Sequence, residues 1–253
     1  MAPPVKEMSA ELSQKIEAFH AKVHSEAETI LFEVFPTKIL ELQELIDKID
    51  SADSPFRDEA FEGTTDGTVY PSSSASEGPE TKKRKHLDGA GAHVASNSTV
   101  NARYPEVMHT NGQVNQLHEI IKRECDAVVT SCDKVKLWVN LTMPKIEDGD
   151  NFGVEVQNEA LTYLERTQES AYTLRDYGRQ HHLSRAKICS KIIKYPNIED
   201  YTLALQQHDE KQFHMARQHI HDIRHLYAVM MDIIHKNIGK IRAPKANNGP
   251  ALY

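Results

Sequence analysis

The sequence predicts an all-α protein, built as an elongated antiparallel four-helix bundle. Apolar residues recur at intervals of three, four and seven through four long segments, and this is the period of one helix face. Only 11 of the 253 residues are glycine and 11 are proline, while 26% are charged, a composition that suits long amphipathic helices. At a rise of ~1.5 Å per residue, each segment would be ~45 Å or longer. Such a narrow rod offers a large lateral surface for side-by-side self-association.

The first helix is predicted within residues 1–50. Pro36 lies inside it, lacks a backbone donor and crowds the preceding turn, so we expect a bend there. The apolar face of this helix consists of Leu12, Ile16, Phe19, Val23, Ile30, Val34, Leu42, Leu45 and Ile49.

Residues 51–105 lose the helical period. Ser, Gly and Pro account for 17 of these 55 residues, and such a segment cannot bury enough apolar surface to offset the entropy of ordering it. We therefore expect a disordered insert between the first two helices. Its basic run fits either a nuclear-import signal on an accessible loop or a plain solvated charge run. That run is Lys82, Lys83, Arg84 and Lys85.

The period returns in residues 106–243 and predicts three further helices. Pro144 ends the second, Gly178 is a potential weak point in the third, and Asn197 is the expected N-cap of the fourth. The second helix carries Val114, Leu117, Ile121, Cys125, Val128, Cys132, Val135 and Val139. The third carries Leu161, Leu164, Ala171, Leu174, Leu183, Ala186, Cys189 and Ile193. The fourth carries Phe213, Ala216, Ile220, Ile223, Leu226, Met230, Ile234 and Ile241.

Charge and cysteine content exclude several classes of protein. A formal net charge of -7 argues against a chain-wide nucleic-acid surface, so no nucleic-acid partner is expected. Cys125, Cys132 and Cys189 form no CxxC pair, and an odd number of cysteines is a poor disulfide framework, which indicates a reducing compartment. The first eleven residues lack an apolar signal core, and no run approaches the ~20 apolar residues of a membrane span. We expect a soluble intracellular protein without a membrane partner.

The most informative loop is an acidic turn, punctuated by two glycines, between the second and third helices. Glycine allows backbone conformations that other residues resist, and Asp and Asn can cap the helix that follows. These features exceed what a chain reversal needs, so we expect the turn to contact a partner. The alternative is a purely structural turn capped by Asp150 or Asn151. The turn comprises Ile146, Glu147, Asp148, Gly149, Asp150, Asn151, Phe152, Gly153 and Val154.

The same turn nearly matches a calcium-binding loop. Asp148, Asp150, Gly153 and Glu159 occupy positions one, three, six and twelve of such a loop. Phe152 at position five has no ligand oxygen, however, and a proline interrupts the entering helix. Calcium binding is therefore the weaker alternative.

Two other metal-binding patterns are present in the sequence. Glu17 with His20, and Glu106 with His109, have the Glu-x-x-His spacing of di-iron bundles, but the second pair lies ahead of the helix that would have to hold it. His221 and His225 could hold zinc on one helix face, although the absence of a cysteine or a third ligand favours a solvated or interhelical face. The pair belongs to a histidine-rich stretch that contains His208, His214, His219, His221 and His225. We expect no catalytic residue, no metal and no cofactor.

The tail, residues 244–253, is the last candidate element. It ends in a flexible Asn-Asn-Gly stretch followed by Ala251, Leu252 and Tyr253, an apolar tip that carries the terminal carboxylate. Most chain ends are simply frayed. A pocket that captures C-termini would also accept this tip, and several copies on one ring would gain avidity.

The motifs of the turn, of the end of the third helix and of the start of the fourth resemble those of the ATP-independent 11S proteasome activators. The resemblance runs from the first helix to the terminal Leu-Tyr, and only the insert is unlike the family. The basic run in the insert and the Leu-Tyr terminus resemble the gamma, or Ki-antigen, type. The segments that carry the resemblance are Pro144 to Val154, Arg185-Ala186-Lys187, Lys194-Tyr195-Pro196 and Ile198-Glu199-Asp200-Tyr201.

The resemblance implies a four-helix subunit of a homoheptameric ring that caps the 20S core particle and hydrolyses nothing itself. The tail residues Ala251 to Tyr253 would dock between core alpha subunits, and the turn 146–154 would shift the gate. Lys187 corresponds to the pore-side basic residue of the family, whose gamma type favours cleavage after basic residues. The import-signal interpretation of residues 82–85 gains weight, with the nucleus as the expected compartment and the cytoplasm as a second one.

One position departs from the family pattern. The family usually has Asn where this chain has Asp150, and a carboxylate cannot donate a hydrogen bond as an amide can. Activation is expected to be weaker or pH-sensitive if that position donates, and Asp150→Asn is expected to keep or raise it. The alternative to an activator is a nuclear helical scaffold that acts through the insert and would not need its last residues.

Overall fold

The computed structural model describes residues 8–71, 106–145 and 152–245, and within these ranges the predicted all-α four-helix bundle is confirmed. The helices are α1 Ala10–Thr29, a π-helical turn Ile30–Val34, α2 Phe35–Asp50, the short α3 Asp58–Phe61, α4 Gly112–Thr142, α5 Phe152–Lys194 and α6 Glu199–Arg242. Helix α1, the π-helical turn and α2 together form the first helix of the bundle, and α4, α5 and α6 form the other three. Within these ranges, no helix carries an apolar stretch of the length that a membrane crossing requires.

Pro36 explains the π-helical turn that joins α1 to α2. Its ring would collide with the carbonyl of Phe32 in a regular α-helix, four residues back. The backbone N–H of Phe35 donates instead to the carbonyl of Ile30, five residues back. The irregularity predicted at Pro36 therefore takes the form of one widened helical turn.

The hydrophobic core is built on the predicted apolar face of α4, which lies between the other helices of the bundle. Trp138 and Tyr227 are among the largest fully buried side chains, and the Tyr227 ring meets Phe35 edge-on at 5.6 Å between centroids. The eight predicted core residues of α4 are all buried, and they are Val114, Leu117, Ile121, Cys125, Val128, Cys132, Val135 and Val139.

The predicted core face of α1 is only partly correct. Leu12, Ile16 and Phe19 are 50%, 42% and 45% exposed, whereas Val23 packs against the core and Ala27 is buried. The reason is that no helix among the described residues covers the first turns of α1. Within the described ranges, an apolar stripe is thus left open.

The beginning of the insert also differs from the prediction, which placed disorder from residue 51 onwards. Residues 51–71 are ordered and contain a short helix α3, Asp58–Phe61. Phe61 is buried and stacks on Phe213 of α6 with 4.1 Å between ring centroids. This one aromatic contact supplies burial that the average composition of the segment does not reveal. Residues 72–105, with the basic run, lie outside the described residues.

A two-residue antiparallel pair closes the base of the insert. Strand β1, Tyr70–Pro71, pairs with β2, Glu106–Val107, so that Tyr70 lies opposite Val107. The chain therefore leaves the bundle and returns to it at one place.

Two details of α5 and α6 differ from expectation. Helix α5 runs without interruption through Gly178, and a Cβ atom there would lie 3.5 Å from the His118 ring of α4. That distance is an ordinary van der Waals contact, so the imidazole does not require a glycine there, and the glycine does not break the helix. Helix α6 begins at Glu199 with Ile198 at the N-cap, so the predicted cap at Asn197 is wrong by one residue.

Candidate functional site

The ends of three helices meet at the site, and one buried amide joins them. Gln157 lies in the first turns of α5 and is fully buried. Its Nε2 donates to the carbonyl of Ile241 at 2.8 Å and to Oγ1 of Thr142 at 3.3 Å. The last carbonyls of a helix have no partner within the helix, so the amide satisfies one that α6 leaves open. It also ties the end of α4 to the start of α5.

The backbone of Gly153 packs directly against that of Pro244. Both residues are buried, and a Cβ atom added at Gly153 would lie 2.6 Å from the Cα and the carbonyl carbon of Pro244, and closer still to its oxygen. Only glycine allows this approach. Gly153 belongs to the predicted acidic turn and Pro244 begins the predicted tail, so the end of the one and the start of the other lie side by side.

Most of the predicted site residues lie outside the described part of the chain. This holds for Ile146 to Asn151 of the turn and for residues 246–253, which include the docking tip Ala251 to Tyr253. Phe152 is the first residue of α5, and Val154 is half-buried. The turn is therefore shorter than predicted, since its last three residues are helical.

Lys187 lies on α5 towards the opposite end of the bundle. Its side chain is exposed, two residues from the buried Arg185. Exposure fits the predicted role, and the pore-side position itself stays a prediction about the assembly.

A buried ion pair near Lys187 was not predicted. Nε of Arg185 donates to Oδ1 of Asp209 at 3.0 Å, and Nη1 donates to the carbonyl of His109 at 2.8 Å. Arg185 is 5% and Asp209 is 0% exposed. The pair links α5, α6 and the segment that leads into α4. The only sequence signal for Asp209 is its place among the apolar positions of α6, between the buried Leu205 and Phe213.

The metal sites considered from the sequence do not form among the described residues. The calcium-loop alternative is wrong, since Phe152 and Gly153 at its positions five and six are already helical. The di-iron pattern fails because its described members Glu17, His20 and His109 are exposed. Within the described ranges, the one group of three metal-ligating side chains is His181, His208 and Asp209, and the predicted His221–His225 pair does not contribute to it.

Two buried histidines should make the stability of the protein depend on pH. Burial, followed by the charges of neighbouring histidines, lowers the pKa of His118 to about 4 and that of His181 to about 3. The unfolded chain binds these protons near pH 6.5 and the folded chain does not, so stability is constant above that pH and is lost as the pH falls below it. We expect a loss of roughly 1 kcal/mol per pH unit for each histidine.

Urea unfolding at pH 7 and pH 5 measures this loss. His118→Leu should make the slope clearly shallower, since it removes one of the histidines whose pKa is lowered by burial. His225→Gln, at an exposed position of α6, is the matched control and should leave the slope unchanged. Equal slopes for wild type and His118→Leu would contradict the assignment.

The fold and the site together define a class of protein: an elongated helical bundle in which the start of the third helix and the residue that follows the fourth helix pack against each other at one end. Comparison with known families identifies the class. The chain matches the N-terminal family of the proteasome activator PA28 over residues 10–50 and the C-terminal family over residues 107–251. This chain belongs to the PA28 family of proteasome activators. It is thus a member of a family of protease regulators, not of proteases.

Individual relatives agree with this family membership. Proteasome activator complex subunit 3 is 33% identical in Gallus gallus and 32% identical in Homo sapiens, each over 253 residues and 96% of both chains. The chain thus resembles the gamma type. The 11S subunit of the Plasmodium falciparum proteasome, PA28, has a TM-score of 0.71 and 26% identity, covering 97% of this chain and 100% of that one.

A more distant structure shares the fold. The activator PA26 of Trypanosoma brucei, solved in complex with the yeast 20S proteasome, has a TM-score of 0.57 and 14% identity over 94% of this chain and 98% of that one.

Proposed function

We propose that this protein is an ATP-independent, non-catalytic cap of the 20S core particle that docks through its tails and opens the gate with its acidic turn. The observation that carries the proposal is the backbone contact between Gly153 and Pro244. It fixes the start of the tail and the end of the turn against one another, so that both elements can reach the same partner surface. The PA26 relative was solved bound to a 20S proteasome, which supports this choice of partner.

The tail and the acidic turn would have different roles. Ala251, Leu252 and Tyr253 would provide affinity by inserting an apolar tip and a carboxylate between core alpha subunits. The turn 146–154 would shift the gate towards its open state, because a ligand opens a gate only when it binds the open state better than the closed one. Gln157 would hold the turn in register with the end of α6, through its bond to Ile241. Peptides and unstructured proteins would then enter the core particle.

A homoheptameric ring is the assembly that we propose. The apolar stripe of α1, with Leu12, Ile16 and Phe19 exposed, is a surface that a neighbouring copy could cover. The ring would present its tails together, and the summed contacts would exceed the weak affinity of one tail. Lys187 would face the pore, and the ring would favour cleavage after basic residues, as the resemblance to the gamma type implies.

The nucleus is the compartment that we propose, with the cytoplasm as a second one. The support is the basic run Lys82 to Lys85, which has the composition of an import signal.

Removing the last three residues tests the docking step. Purified latent 20S core particle would be assayed with a fluorogenic peptide and with either the intact protein or a chain that ends at Pro250. We expect the intact ring to stimulate hydrolysis and the truncated ring to do nothing. An assembled intact ring that fails to stimulate would overturn the activator proposal and favour a scaffold.

A substitution in the turn separates docking from gating. Asp150→Tyr should still sediment with the core particle but should no longer stimulate hydrolysis, because the bulky ring would displace the turn and leave the tail intact. Loss of core binding in this variant would contradict the proposed division of labour.

A further inference from the structure

A cluster of two histidines and a buried carboxylate lies between α5 and α6, far from the proposed docking end, and the activator function does not use it. His181 belongs to α5, and His208 and Asp209 are neighbours near the start of α6. One ligand atom from each lies within 4.8 Å of the others. The two imidazole rings are stacked with an angle of 4° between their planes. We propose that His181, His208 and Asp209 form a binding site for a transition-metal ion, with Zn²⁺ as the preferred ion.

The distance between the two nitrogens fits this ion. Nδ1 of His181 lies 3.1 Å from Nε2 of His208. Two nitrogens that each lie ~2.0–2.1 Å from a tetrahedral zinc ion are ~3.3 Å apart. The rings would need to separate by only a few tenths of an ångström to admit the ion. Asp209, the next residue of α6, supplies a carboxylate, which is also a common ligand of zinc.

The burial of His181 suits a ligand of fixed orientation. His181 is 1% exposed, and its Nδ1, the proposed ligand atom, already faces Nε2 of His208. Ligation through Nδ1 would place the remaining ring proton on Nε2 and so fix the tautomer of His181. Nε2 has no hydrogen-bond partner among the described residues, and ligation would not supply one.

Arg185 shapes the site and limits its affinity. Its guanidinium donates to both carboxylate oxygens of Asp209, at 3.0 Å from Nε to Oδ1 and 3.3 Å from Nη2 to Oδ2. A carboxylate has about four acceptor sites, so a further site remains for an ion. The arginine orients this ligand, as outer partners commonly do at metal sites. Its positive charge also opposes the ion, so we expect modest affinity.

Zinc titration of the full-length protein tests the site. The protein would first be stripped with a chelator, and ZnCl₂ binding would be followed by calorimetry, with CoCl₂ as a spectroscopic probe of coordination. We expect one zinc ion per chain and a visible Co²⁺ spectrum typical of low coordination number. His208→Gln should weaken binding at least about tenfold, since it removes one of three ligands. His208 is half-exposed, so this variant should keep its helical circular dichroism.

A matched control excludes binding by surface histidines. The double variant His221→Gln and His225→Gln removes the pair on the accessible face of α6 and should leave the zinc affinity unchanged. Absence of zinc binding, or binding that His208→Gln does not weaken, would overturn the proposal and leave a hydrogen bond between neutral imidazoles as the account of the 3.1 Å contact. The assay contains no core particle, so its outcome is independent of the activator proposal.

Discussion

Gly153→Ala is expected to lower the stimulation of the 20S core particle by about tenfold or more, because displacing a contact group by ~1 Å can cost orders of magnitude in rate. The added methyl group would lie 2.6 Å from two backbone carbons of Pro244. Carbon atoms at rest are ~3.5–4.0 Å apart, so either the turn or the tail must move by about 1 Å. Both atoms in the clash are backbone atoms, and no side-chain rotation can relieve it. The measurement is peptide hydrolysis with saturating amounts of the assembled ring.

Gly239→Ala is the matched control. Gly239 lies on α6 near the same end of the bundle, and a Cβ atom there would have nothing within 4 Å. Both substitutions replace a helical glycine by alanine, which favours a helix by about 0.5–1 kcal/mol. Only the substitution at Gly153 also introduces a collision. Full stimulation by Gly153→Ala, equal to that of Gly239→Ala, would show that the contact with Pro244 does not position the two elements.

Arg185→Met is expected to destabilise the fold by about 3–5 kcal/mol, the cost of leaving one partner of a buried ion pair alone. Asp209 is 0% exposed, so its carboxylate would remain out of water without its cation. The carbonyl of His109 would lose its donor as well. Urea unfolding at one fixed protein concentration measures the effect, since an oligomer's stability depends on concentration.

Two further variants serve as controls for this prediction. Arg179→Met breaks a 2.6 Å pair with Asp176 on the same helix, but the pair is exposed and its loss should change stability little. The double variant Arg185→Met with Asp209→Leu removes both buried charges and should recover most of the loss. If Arg185→Met were no more destabilising than Arg179→Met, the buried pair would have no special structural role.

The four helices could be predicted because their cause is local. An apolar residue every three or four positions buries one face wherever the partner helix lies, and the eight core residues of α4 follow from this alone. The first turns of α1 show the limit of the same argument. Periodicity identifies an apolar face but not what covers it, so Leu12 and Phe19 have the right pattern and remain exposed.

The site could be predicted only as two separate pieces of sequence. The acidic turn and the tail each have unusual composition, but they are about a hundred residues apart, and nothing local says that Gly153 meets Pro244. Gln157 carries a weak signal, as a polar residue within the buried stripe of α5 between Gly153 and Ala160. Its partners, Thr142 and Ile241, come from other helices and appear only when the bundle is assembled.

The short pairing of β1 with β2 has a consequence for how this protein can change over time. The two strands hold together the points at which the chain leaves the bundle and returns to it. The residues between the strands therefore form a loop whose ends are already fixed, whatever their number. The entropy of closing such a loop grows only with the logarithm of its length, and doubling it costs roughly 0.6 kcal/mol. Insertions and deletions between residues 71 and 106 therefore change the stability of the helical bundle very little. Sequence drift can accumulate there without selection for the helical fold opposing it.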